Sequence, residues 1–214
     1  MSVIWLVDDD PAILRALERL LGTEGFETRS FLDAAGFLSA HDDALPGCAV
    51  IDLGLQTTNG LALQEELGQA GGFRPVIFLS GQGSIPTAVQ AMRAGAVDFL
   101  TKPVEAERLL SAIHSALALD RERRSQLSAV QDLRALLATL TPREHEVLQE
   151  IVSGRLNKQI AHRLGAAEKT IKVHRGRVMH KMGVRSVAEL VTLMARLQDA
   201  VSYTHLTLPT ILRV

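Results

Sequence analysis

The strongest constraint on this chain is a repeat in its first 120 residues. Short strand-like runs, most of them apolar, alternate five times with segments whose apolar residues recur every three or four positions. The apolar runs are Val3–Val7, Cys48–Ile51, Val76–Leu79 and Val97–Leu100, and a further short strand is read at Phe26–Phe31, whose middle is polar. Helical spacing follows each of them, first at Ile13, Leu14, Leu17, Leu20 and Leu21, then within 33–40, 61–67, 87–94 and 106–119. Runs this short suit buried strands better than buried helices. Five strand-then-helix units predict an α/β domain with a five-stranded parallel, doubly wound sheet covered on both faces.

In open sheets of that kind, ligands sit beyond the carboxyl ends of the strands. The first run ends in Asp8-Asp9-Asp10, the third in Asp52, the fourth in Ser80 and the fifth in Thr101-Lys102-Pro103. Parallel strands would gather these residues on one rim. Three neighbouring carboxylates repel unless a cation joins them, and hard oxygen ligands suit Mg²⁺. A carboxylate beside Mg²⁺, the Lys102 charge and the Ser80 hydroxyl is arranged to stabilise a phosphoryl group in transfer. Asp52 would be the nucleophile, forming an aspartyl phosphate.

Four segments carry a resemblance: Val7-Asp-Asp-Asp-Pro11, Val50-Ile-Asp-Leu53, Phe78-Leu-Ser-Gly81 and Asp98-Phe-Leu-Thr-Lys-Pro103. In this order they resemble the receiver domain of two-component response regulators, a flavodoxin-like fold. The resemblance implies that Asp52 accepts phosphate from a sensor histidine kinase. It implies that Asp8, Asp9, Asp52 and the Gly54 carbonyl hold Mg²⁺, that Ser80 and Phe99 form a switch pair, and that Lys102 contacts the phosphoryl group. The Lys102–Pro103 bond is expected to be cis. One departure stands out: Gln56 occupies the place of the family's usual proline.

A formal net charge of −1 hides an asymmetry. Residues 1–120 hold 7 Lys and Arg against 16 Asp and Glu; residues 121–200 hold 15 against 8. An acidic module followed by a basic one suggests two domains with different partners, the basic one nucleic acid. Residues 121–138 read as a helical linker continuing the fifth helix, either dimer-facing, domain-bridging or a solvated spacer. Thr141-Pro142-Arg-Glu144 is a helix start, with a capping threonine, proline at the first helical position and an early carboxylate. Helices are predicted over Pro142–Ser153, Asn157–Leu164, Glu168–Met182 and Val187–Leu197. Two short helices joined by a tight turn, the second strongly basic, match a helix-turn-helix whose second helix enters the major groove.

Leu140-Thr-Pro-Arg-Glu144, Asn157-Lys-Gln-Ile-Ala161, Lys169-Thr-Ile-Lys-Val-His174 and Lys181-Met-Gly-Val184 resemble the LuxR-type helix-turn-helix. The whole chain is similar to the FixJ-like branch of response regulators. The implied partners are double-stranded promoter DNA, RNA polymerase and a second copy of the chain, which dimerises on phosphorylation. By the same resemblance Lys172 and Val173 contact bases, and Asn157, Lys158, Thr170, His174 and Lys181 contact phosphates. Arg175 and Arg177 read guanine or bind phosphate. Gly176 falls where relatives often carry a longer contacting side chain.

The domain reading is therefore 1–120 receiver, 121–138 linker, 139–200 helix-turn-helix and 201–214 a tail without helical pattern, resembling vector-derived sequence. Apolar residues make up 47% and charged residues 22%, which favours packed cores over long disorder. The single cysteine, Cys48, excludes an internal disulfide and a Cys-rich zinc site. No apolar run has the length of a membrane span, and the start lacks a secretory signal, so a cytoplasmic protein is expected. Two competing functions remain. One is a phosphate-independent DNA-binding regulator with a degenerate receiver. The other is an aspartyl-phosphate phosphatase, which would want a second carboxylate where Gly54 stands.

Overall fold

The computed structural model describes residues 2–55, 58–69, 73–81 and 84–206, with the backbone alone at 69 and 198–206. The chain folds as two compact units, Met1–Arg124 and Ser125–Val214.

In the first unit, β1 (Val3–Val7), β2 (Glu27–Phe31), β3 (Gly47–Asp52), β4 (Val76–Ser80) and β5 (Asp98–Thr101) alternate with five helices. These are α1 (Pro11–Thr23), α2 (Ala34–Ala40), α3 (Gly60–Gln69), α4 (Ile85–Arg93) and α5 (Ala106–Ala138). The sheet order is β2-β1-β3-β4-β5 and every pairing is parallel. Side chains alternate across each strand, so the buried strands feed two cores. Trp5, Ile51 and Phe78 face α2, α3 and α4, whereas Ile4, Val50 and Ile77 face α1 and α5. Short polar side chains start the helices. Asp10 accepts from the Ala12 amide ahead of α1, Asp33 from Gly36 ahead of α2, and Ser84 from Thr87 at α4.

The register builds the functional rim. Val7 lies beside Ile51, Asp52 beside Leu79, and Ser80 beside Thr101. The residues that end or follow each strand therefore emerge at one edge.

A polar network closes the opposite end of the sheet. Gly47 has φ +152°, and a Cβ there would lie 1.8 Å from the Val3 carbonyl oxygen, so only glycine fits. Its amide donates to the buried Asp120 at 2.9 Å. Arg124 donates to Asp120 and to the carbonyls of Asp43, Ala44 and Leu45. Arg74, also buried, lies 3.9 Å over the Trp5 ring and donates to the carbonyls of Asp42, Leu45 and Gly47. Cys48 sits inside this end; burial pushes its thiol up to about 12, against a smaller pull from Arg74. It is a packing residue with no thiolate at neutral pH.

The second unit is helical: α6 (Pro142–Val152), α7 (Asn157–Arg163), α8 (Glu168–Lys181) and α9 (Val187–Leu206). Val147, Leu148, Ile151, Ile160, Ile171, Val178 and Leu190 form its core, joined by Leu133 from the end of α5.

Two expectations change. The last helix was expected to end at Leu197 and the tail from 201 to lack helix, yet α9 runs to Leu206. No glycine or proline interrupts the chain between 187 and 206, so propagation meets no breaker before Pro209. The remaining tail, 207–214, and Gln56 lie outside the described residues.

Candidate functional site

At the carboxyl edge of the sheet, Asp8 and Asp52 are buried and Asp9 is half-buried. One carboxylate oxygen from each of the three lies within 4.8 Å of the other two. Lys102 reaches in from the end of β5. Its Nζ stands 2.6 Å from Asp8 Oδ2 and 2.7 Å from Asp52 Oδ1. Partial burial pulls the Lys102 pKa down, but hydrogen bonds to Asp52 and Asp8, with their charges, outweigh it and leave it above the ordinary lysine value. The ammonium is therefore a permanent charge. The Lys102–Pro103 peptide is cis.

The second oxygen of Asp52 accepts from the Gly54 amide at 2.9 Å, which fixes the carboxylate plane. Ser80 is buried, and together with Asp52, Gly54, Asn59, Thr87 and Lys102 it lines a cavity of about 490 Å³. Phe99, on β5 beside Phe78, is half-buried against the α2–α4 core. Three carboxylates against one ammonium leave a local excess of two negative charges. This hard-oxygen donor set fits a divalent cation.

In the helical unit, Thr141 and Glu144 form a reciprocal capping box at α6. The buried Glu144 also accepts from Lys181 Nζ at 2.6 Å, and Lys181 donates to the Thr139 carbonyl. The Lys181 hydrogen bond, then that of the Thr141 amide, hold the Glu144 carboxyl down to about 2. Lys181, expected at DNA phosphate, thus ties the end of α8 to the start of α6. Gly165, with φ +60°, ends α7, and its neighbour Ala166 bonds back to Ala161, so α8 starts three residues later at Glu168. Thr170, Lys172, Val173 and Arg177 are exposed on α8, as is Lys158 on α7. His174 and Arg175 are half-buried, and Arg175 donates to Asn157 at 3.1 Å, joining α8 to the first residue of α7.

Residues 4–114 match the family described as "Response regulator receiver domain", and residues 138–194 match "Bacterial regulatory proteins, luxR family". The chain belongs to the response regulators. Response regulator protein TmoT of Ectopseudomonas mendocina is 42% identical over 199 residues, covering 93% of this chain and 90% of that one. Transcriptional regulatory protein FixJ of Bradyrhizobium diazoefficiens is 37% identical over 193 residues, covering 90% and 94%. The solved structure of response regulator StyR superposes with a TM-score of 0.83 at 42% identity, covering 91% of this chain and 98% of that one. As its sequence implies, this response regulator joins a receiver domain to a LuxR-type DNA-binding domain.

Its receiver brings Asp8, Asp9, Asp52, Gly54, Ser80 and Lys102 to one place; Phe99 packs against the neighbouring core instead. Two features have no signal in the sequence pattern, or only half of one. The Asp120–Gly47 bond spans 73 residues and has no local signature, although Asp120 and Arg124 are an i,i+4 pair. The Glu144–Lys181 pair spans 37 residues, although the capping pattern that orients Glu144 is legible. Among the described residues, no helix is long and apolar enough to cross a membrane.

Proposed function

We propose that this response regulator is switched by phosphorylation of Asp52 and then binds duplex promoter DNA as a dimer through α8. The observation that carries the reading is the meeting of Asp8, Asp9, Asp52 and Lys102 at one edge of the sheet, where Asp52 and Lys102 line the cavity. Asp52 attacks the phosphorus of a phosphohistidine on a sensor kinase; an O–P bond forms and the N–P bond breaks. The Gly54 amide holds one Asp52 oxygen while the other is paired with Lys102. Lys102 carries a fixed positive charge to the developing phosphoryl charge, and the Ser80 hydroxyl offers a donor from the next strand. Asp8, Asp9, Asp52 and the Gly54 carbonyl are the residues that would hold Mg²⁺. When bound, it neutralises carboxylate and phosphoryl oxygens.

Ser80 and Phe99 are proposed as the switch pair, relaying the new charge to the surface beside β4 and β5. Helix α4 supports a dimer face there: Ile85, Val89 and Met92, at i, i+4 and i+7, are 81%, 44% and 47% exposed. The DNA contacts proposed are Lys172 and Val173 to bases, Asn157, Lys158, Thr170 and His174 to phosphate, and Arg175 and Arg177 to guanine or phosphate, while Lys181 is engaged by Glu144 and Thr139. RNA polymerase at the bound promoter and a cytoplasmic location complete the reading. The domain limits proposed are 1–120, 121–138 and 139–200.

A turnover phosphatase is disfavoured because Gly54 supplies no second carboxylate beside Asp52. The test is phosphorylation of the full chain by a phosphohistidine donor, with dimer mass and promoter binding read together. The wild-type chain is expected to take up acid-labile phosphate, dimerise and bind; Asp52→Asn should do none of these. Equal DNA binding by Asp52→Asn under phosphorylating conditions would replace this reading with phosphate-independent regulation.

A further inference from the structure

Helix α7 buries Ile160 and Ala161. Its opposite face carries Lys158, Gln159, His162 and Arg163, all exposed. Arg155, just before the helix, joins them along a cleft of about 440 Å³. Arg155 Nη1 stands 2.6 Å from Glu150 Oε2, and Arg163 Nε stands 3.2 Å from Glu150 Oε1. One carboxylate of α6, only 12% exposed, thus holds two guanidinium groups. It orients them without neutralising them, because Arg155, Lys158 and Arg163 against Glu150 leave an excess of two positive charges. Among the described residues, neither arginine has a second acidic partner. Glu150 engages one nitrogen of each, so further N–H groups of each fork are left for another carboxylate. Like charges gathered on a short helix destabilise it, and the core makes no use of this face. The reason for gathering them lies outside the chain.

The cleft faces away from the DNA-reading helix. Asn157 meets Arg175 of α8, whereas Arg163 meets Glu150 of α6. At about 100° per residue, Arg163 lies about 120° round α7 from Asn157 and about 140° from Lys158. Lys158 is therefore the border toward α8, Gln159 and His162 are the middle, and Arg163 is the border toward α6. A duplex held by α8 and Lys158 runs past this cleft, which opens beside the DNA. What meets it there is a protein on the neighbouring stretch of the same duplex. Paired guanidinium forks match carboxylates in geometry as well as charge.

We propose that this cleft docks an acidic segment of RNA polymerase bound next to the chain on the promoter, with its carboxylates on Arg155 and Arg163. This rests on the DNA-binding reading above and gives the polymerase contact a place on the molecule.

The test uses the full-length chain carrying phosphate at Asp52 and RNA polymerase holoenzyme from the same organism. The template places a duplex enriched from a random pool by the wild-type chain upstream of a weak promoter. The double variant Gln159→Glu/His162→Glu puts two carboxylates in the middle of the cleft and leaves both Glu150 pairs in place. The Gln159→Glu carboxylate can still accept from the Leu156 amide, as Gln159 Oε1 does at 2.9 Å. The double variant is expected to bind the enriched duplex within about twofold of wild type, because screening confines the added charge to its own surroundings. It should cut the polymerase occupancy that the chain adds by about fivefold or more, since like charges then face each other across the contact. Arg163→Gln should cut it by about twofold or more, and decides alone if thermal melts show the double variant unfolded. A photoreactive side chain at position 162 should cross-link to a polymerase segment rich in Asp and Glu. Unchanged recruitment by the variants overturns the proposal, as does a cross-link to a basic segment or a wild-type chain that adds no polymerase occupancy. An equal loss of duplex binding also overturns it and assigns the cleft to DNA phosphates. If the wild-type chain enriches no duplex at all, the DNA-binding reading fails and takes the proposal with it.

Discussion

Removing the Asp120 carboxylate should destabilise the receiver unit selectively. Asp120 Oδ2 accepts two hydrogen bonds, from the Gly47 amide and from Arg124 Nε, both 2.9 Å long. Its side chain is 2% exposed and that of Arg124 is 30% exposed. In Asp120→Ala the Gly47 N–H, at a buried strand start, loses its partner, which costs about 1–3 kcal/mol. Breaking a buried ion pair by deleting one member costs about 3–5 kcal/mol. The low end applies here, because Arg124 keeps the carbonyls of Asp43, Ala44 and Leu45 and is not stranded. The two penalties overlap, since one oxygen serves both bonds, so about 3 kcal/mol is the expected loss. The chain has one tryptophan, Trp5, which is fully buried in the receiver and covered by Arg74. Its fluorescence therefore follows the receiver alone in urea. With a slope of about 1–3 kcal/mol per molar urea, the midpoint should fall by about 1–3 M at unchanged slope. A shift below about 0.3 M would refute the reasoning, showing that the network does not contribute net stability.

Three further outcomes are expected. Glu144 has its pKa lowered, so its contribution is complete above about 4.5 and is lost as pH falls toward about 2; circular dichroism melts should show the helical unit weakening over that window, and Glu144→Gln should flatten the dependence. Lys181→Met should lower the melting temperature of the helical unit more than it lowers DNA affinity, because Lys181 is engaged with Glu144 and Thr139; an affinity loss at constant stability would return it to the phosphate contacts. Specific binding by the dimer should weaken with salt, with a slope of log K against log salt of about −5 to −9 for 6–10 neutralised phosphates, measured by titration across salt concentrations.

Local periodicity along the chain was enough to place several parts of the fold. The β1 limits, Val3–Val7, are the same in sequence and structure because five apolar residues in a row bury both faces of a parallel strand. The start of α6 was equally plain, since Thr141, Pro142 and Glu144 act within one turn. The acidic rim followed from the polar residues that end successive runs, because parallel strands put those ends on one edge. Tertiary structure decided what sequence separation hides. Lys102 bridges Asp8 and Asp52 only because β5 joins the sheet in register beside β4. Asp120 and Gly47 meet only when α5 packs across the sheet, and Lys181 becomes a staple only when α8 lies against α6. A charged residue carries the same local signal whether it is solvated, paired or poised for a ligand. Its partner is set by the fold, through the burial that makes an unpaired charge costly.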